Sequence, residues 1–70
     1  MTDKLVISLA AARVNAGLTQ AEVARIMGVT NNTIVAWEKG SSEPKISQAR
    51  ALSDLYQIPL DNLFLPSESN

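Results

Sequence analysis

The chain has 70 residues, of which 46% are apolar, and its six Lys or Arg against seven Asp or Glu leave a net charge of −1. That length makes one small domain, which buries about 60% of the surface its unfolded chain exposes. With no cysteine and no histidine, disulfides, thiolate catalysis, cysteine-ligated metals and the commonest general base and zinc ligand are excluded. No cofactor or metal is expected. The apolar runs fall far short of the roughly 20 residues of a membrane span. The first residues also lack the long apolar stretch of a secretory signal. A soluble cytoplasmic protein is the expectation.

The elements follow in order. A first helix is expected over about residues 3–15, where Leu5, Leu9, Ala12 and Ala16 mark one stripe and Gly17 supplies the stop. Thr19 and Glu22 have the spacing of a capping box and start a second helix at Gln20–Met27. On it Val23 and Met27 share a face, and the small Ala24 beside them lets another helix approach. Gly28 ends this helix where the backbone needs a positive φ. Val29 anchors the turn, and Thr30 caps a third helix over Asn31–Lys39 whose Ile34 and Trp37 point inward. Gly40 to Pro44 reads as a loop. A fourth helix follows Pro44, with Ile46, Ala49, Leu52, Ser53 and Tyr56 on one face. Pro59 opens a short fifth helix holding Leu60, Leu63 and Phe64, and Pro66 closes it. No segment alternates with period two. The expectation is an all-α, compact five-helix bundle, a single domain over residues 1–66 with a short flexible tail at 67–70.

The stretch Gln20 to Trp37 is the most informative. Two short amphipathic helices packed across a Gly-centred turn hold the second one out as a rod, and a rod of that diameter fits the DNA major groove. With Ile34 and Trp37 facing the core, Asn31, Asn32, Val35 and Ala36 fall on the outer face. Asn can donate to and accept from adenine together, and Val35 and Ala36 suit thymine methyls. The plainer readings are that Asn is favoured near helix starts and that single surface apolar residues are ordinary. Thr19, Gln20, Arg25, Thr30, Thr33, Lys39 and Lys45 are the phosphate-side candidates. Against this, a lone Arg25 is commonly just solvated, and Lys39 complements a helix C-terminus without DNA. Leu60, Leu63, Phe64 and Leu65 carry more apolar area than a short terminal helix needs. Some of them are expected to pack under the fourth helix, and the others, with Ile58, to pair across a two-fold axis.

Gly17-Leu18-Thr19-Gln20, Val23-Ala24, Met27-Gly28-Val29, Ile34, Trp37-Glu38-Lys39-Gly40, Pro44, Leu52 and Leu60-Asp61-Asn62-Leu63-Phe64 together resemble the phage repressor/Cro-type helix-turn-helix family, also called XRE or HTH-3. The resemblance covers about residues 5–65. It implies a lambda-repressor-like fold of five helices, a homodimer on an operator of two half-sites, and transcription regulation. It implies that Gln20 touches a phosphate and braces the first recognition-helix side chain. It also implies a structural ion pair between Arg13 and Glu38. Where many relatives carry Lys or Arg between the third-helix glycine and the proline, this chain has Ser41, Ser42 and Glu43.

Two function classes compete. One is a sequence-specific DNA-binding regulator, repressor-like, acting as a homodimer on double-stranded DNA. The other is an antitoxin or adaptor that uses the same fold to bind a protein partner, which the acidic pI of 5.1 favours. An enzyme is not expected, because Glu22, Glu38, Glu43, Asp54 and Asp61 all have explanations as caps, an ion pair or surface charge.

Overall fold

The computed structural model describes residues 5–64. Its elements are β1 (Ile7–Ser8), α1 (Leu9–Asn15), α2 (Gln20–Met27), α3 (Asn31–Lys39), α4 (Ile46–Tyr56), a 3-10 turn (Leu60–Asn62) and β2 (Leu63–Phe64). The strands pair in parallel, with Ile7 opposite Leu63 and Ser8 opposite Phe64. The described residues thus form four α-helices and a short two-stranded sheet, not five helices.

The departures from the expected fold follow from a local cap at Ser8, a single tight turn after Pro59 and the pairing of β1 with β2. Pro59 starts only one tight turn, closed by the Asn62 N–H on the Pro59 carbonyl at 2.8 Å. Leu63 then takes an extended backbone (φ −91°, ψ 129°) and pairs with β1. At the other end, α1 begins at Leu9 rather than near Asp3, a residue outside those described. Ser8 is extended, and its hydroxyl accepts the Ala11 N–H at 3.0 Å, so Ser8 is the helix cap. Leu5 therefore lies off the apolar stripe and is 71% exposed. Its carbonyl instead accepts the Asn62 side-chain N–H at 2.7 Å, which ties the two ends of the described chain together. Ala16, placed on the same stripe, is also exposed. Leu65, Pro66 and the 67–70 tail lie outside the described residues.

The two central helices have the expected bounds. Thr19 caps α2 in a full capping box: its hydroxyl accepts the Glu22 N–H at 3.1 Å, and the Glu22 carboxylate accepts the Thr19 N–H at 2.8 Å. Gly28 ends α2 in the left-handed conformation (φ 72°), and the Val29 N–H turns back to the Ala24 carbonyl at 2.9 Å. One cluster forms the core: Leu9 and Ala12 from α1, Val23 and Ala24 from α2, Ile34 and Trp37 from α3, Leu52 and Tyr56 from α4, and Leu63 from β2. Val29 and Met27 pack partly buried against it, so the turn between α2 and α3 is fastened by apolar contact as well as by backbone bonds.

A Cβ at Gly28 would meet nothing within 4 Å, so the cost of a side chain there is conformational alone. Gly28→Ala should destabilise the protein by about 1–2 kcal/mol, the cost of a left-handed L-residue. The test is a urea titration, expected to show a lower midpoint at unchanged m-value. An unshifted midpoint would mean the turn relaxes to another geometry.

Candidate nucleic-acid interface

The candidate interface comprises the outer sides of α2 and α3 and the residues that start them. Ile34 and Trp37 are 2% and 4% exposed, which fixes how α3 is rotated. Asn31 and Asn32, in its first turn, are exposed, while Val35 and Ala36 one turn later are half-buried. Thr30 caps α3 by accepting the Thr33 N–H at 3.2 Å, and the two hydroxyl oxygens lie 2.9 Å apart. Arg25, Lys39 and Lys45 are exposed, whereas Gln20 and Thr33 are half-buried. Lys45 is also the residue before α4, where its backbone N–H donates to Gln48 Oε1 at 2.8 Å.

Behind this surface sits a charged cluster at the edge of the core. Arg13 Nε donates to Glu38 Oε2 at 2.7 Å, and Arg13 Nη2 to Glu38 Oε1 at 3.3 Å. The remaining guanidinium nitrogen, Nη1, donates to the Leu18 carbonyl at 2.9 Å. Gln20 Nε2 adds a bond to Glu38 Oε1 at 3.0 Å. The side chains of Arg13 and Glu38 are 14% and 9% exposed. The hydrogen bond to Glu38 raises the Arg13 pKa above its already high ordinary value, with burial opposing. Nearby, burial pushes the Tyr56 phenol up to about 12, so it stays neutral. The pair therefore joins α1 to α3, and through Leu18 and Gln20 it also holds the segment that starts α2.

The remaining candidates lie after α4, on the 3-10 turn, the residue before Pro59 and β2. Leu63 is 6% exposed and belongs to the core. Ile58 and Leu60 pack partly buried against that core. The Phe64 side chain lies outside the described residues. Three contributors had no part in the sequence reading. The Ser8 cap carried a usable signal, a serine three residues before Ala11. The Leu18 carbonyl and the Asn62 bridge to Leu5 carried none, since one is backbone and the other spans 57 positions. Among the described residues, no group of acidic side chains could hold a metal ion, and no helix is long and apolar enough to cross a membrane.

The helix-turn-helix family profile matches residues 9–63, which includes every helix described above. The chain belongs to the XRE-type helix-turn-helix family. It is 41% identical over 58 residues to the cryptic phage CTXphi transcriptional repressor RstR of Vibrio cholerae, covering 83% of this chain and 52% of that protein. It is 34% identical over 53 residues to an uncharacterised HTH-type transcriptional regulator of Archaeoglobus fulgidus, covering 76% of each. A similar regulator from Methanocaldococcus jannaschii is 31% identical over 48 residues, covering 69% of this chain and 73% of the other. The chain thus spans about half the length of the Vibrio cholerae protein. No solved structure matches. In this XRE-type domain the capping box of α2 and the Arg13–Glu38 pair brace the same helix start.

Glu22 gives the capping box a pH dependence. The Thr19 backbone N–H, and then the Thr19 side chain, hold the Glu22 carboxyl below its ordinary pKa. A lowered folded-state pKa means the charged carboxylate stabilises the fold above its unfolded pKa, and that stabilisation is lost as pH falls through the folded value. Thermal midpoints of wild type and Glu22→Gln should therefore differ most near neutral pH, and the gap should close below about pH 4. A gap of equal size at both pH values would show that the carboxylate charge has no part in the cap.

Proposed function

We propose that the protein is a sequence-specific, repressor-like DNA-binding transcription regulator that acts as a homodimer, with α3 in the major groove of each half-site. The observation that carries this reading is the rotation of α3. Burial of Ile34 and Trp37 leaves Asn31 and Asn32 exposed at the helix start, with Val35 and Ala36 beside them. That order of residues, polar at the tip and apolar one turn on, suits base edges followed by thymine methyls. Thr19, Gln20, Arg25, Thr30, Thr33, Lys39 and Lys45 are proposed to face phosphates, and the first backbone N–H groups of α2 and α3 have no partner within their helices. The description of the Vibrio cholerae relative as a transcriptional repressor supports the same reading.

Two-fold pairing is proposed through the end of the domain that carries Ile58 and Leu60, since Leu63 is already taken up by the core. The operator would then be a pseudo-palindrome with half-site centres about 10 bp apart. A second reading, an antitoxin or adaptor that needs a protein partner, is favoured by the net charge of −1.

Selection of bound duplexes from a random pool at about 0.1 M salt separates the two readings. The regulator predicts a two-fold symmetric motif with one-turn spacing. Recovery of nothing above background would instead shift the assignment to the partner-dependent reading. On the selected operator, Asn32→Ala should lower affinity by about 1–3 kcal/mol per half-site and relax base preference there. Lys39→Ala should weaken all sequences alike and flatten the salt dependence by about one counterion. An unchanged sequence profile for Asn32→Ala would remove that residue from the reading set.

For the interface, Leu60→Asp should sediment as a folded monomer under conditions where wild type is a dimer. A stable Leu60→Asp dimer would move the interface elsewhere.

A further inference from the structure

The orientation of Gln20 carries a consequence for how the proposed DNA contact is made. A carboxylate only accepts hydrogen bonds, so the Gln20 carboxamide must turn its nitrogen, not its oxygen, toward Glu38. That nitrogen carries two N–H groups. One is used by Glu38 Oε1 at 3.0 Å, and no second partner for it is present among the described residues. Glu38 itself is held in place by two bonds from Arg13, and Arg13 is fixed in turn on the Leu18 carbonyl just before α2. Gln20 is the first residue of α2 and is half-buried. Its side chain is therefore locked from behind while one donor remains unused. The charges in the lock cancel, because the guanidinium of Arg13 neutralises the Glu38 carboxylate beside the proposed phosphate path.

We propose that Glu38 is the positioning residue for the DNA contact of Gln20: it keeps one amide N–H, and so presents the other to a backbone phosphate before DNA arrives. This rests on the DNA-binding reading and deepens it. A free glutamine side chain would lose several rotamers on binding DNA, whereas this one is already ordered by the fold. The phosphate contact itself is the one family resemblance implies; what differs is the brace, which the resemblance puts between Gln20 and the first side chain of the recognition helix. Here the amide is directed to Glu38, near the far end of α3.

Nitrogen-resolved NMR of the side-chain amides tests this on the intact chain, with the Gln20 pair assigned by its loss in Gln20→Ala. On addition of the selected operator duplex, one N–H proton of Gln20 should shift while its geminal partner stays in place. Gln20→Ala should weaken every duplex about tenfold per half-site, the scale of a hydrogen bond to a charged group, without changing the salt dependence. Movement of both protons would show that Gln20 leaves Glu38 to reach DNA, and would overturn the proposal. So would both protons staying in place while the backbone signals of α3 move. If the α3 signals do not move either, it is the DNA-binding reading that fails.

Discussion

The Arg13–Glu38 pair is the constraint on which the arrangement of the candidate interface depends. It lies at the edge of the core with both side chains mostly buried, where each charge has lost much of its water. Such a pair offsets its desolvation only when the geometry is good and the remaining donors and acceptors are used. Here the guanidinium spends one nitrogen on the Leu18 carbonyl and two on the carboxylate, and Gln20 adds a further donor to Glu38. The bonds reach α1, α3 and the residues that open α2. Removing either charge would strand the other in a place with little water, so the pair acts on orientation more than on net stability. An apolar pair of similar volume could fill the same space, but it would not fix the start of α2 against the end of α3.

The apolar core does the complementary task. A domain of 70 residues has room for few large side chains, and Trp37, Ile34, Leu52 and Tyr56 are among those it buries. Ala24 and Ala12 allow α2 and α1 to approach these residues closely. Because the helices are short, their ends matter as much as their faces. Ser8, Thr19 and Thr30 each accept a backbone N–H from the residue three positions on, and Gly28 and Gly40 stop α2 and α3 in left-handed conformations. The caps fix where each rod begins, the core fixes its rotation, and the ion pair fixes the crossing.

Legibility of the sequence followed the range of the interactions. The bounds of α2 and α3 were readable because a capping box, a capping threonine, glycine stops and three- or four-residue spacings are local signals. The inward turn of Ile34 and Trp37 followed from the same periodicity, and with it the exposure of Asn31 and Asn32. The early start expected for α1 and the expected fifth helix failed for the opposite reason. Ile7 and Leu63 are far apart in sequence, and strands of two residues are too short to show an alternating pattern. Leu63 was readable as apolar, but its burial depends on a partner strand that no local rule reveals. The pairing of Arg13 with Glu38 entered through family resemblance. The Gln20 bond to Glu38, across 18 positions, had no sequence signal.

The charge of this domain shapes the kind of DNA binding the proposed reading allows. Of the described cations, Arg13 is consumed internally, which leaves Arg25, Lys39, Lys45 and Arg50 exposed. Few phosphates can be neutralised by so small a set, so counterion release supplies little affinity. The groups at the starts of α2 and α3 are instead neutral: two asparagines, the hydroxyls of Thr19, Thr30 and Thr33, and one glutamine N–H. Neutral donors gain nothing from a merely negative polymer unless they are in register, so their contribution falls away on non-specific sites. On the proposed reading, a domain built this way trades affinity for discrimination. On the same reading, discrimination by neutral groups requires that they be ordered in advance, and the mostly buried Arg13–Glu38 pair behind Gln20 supplies that order.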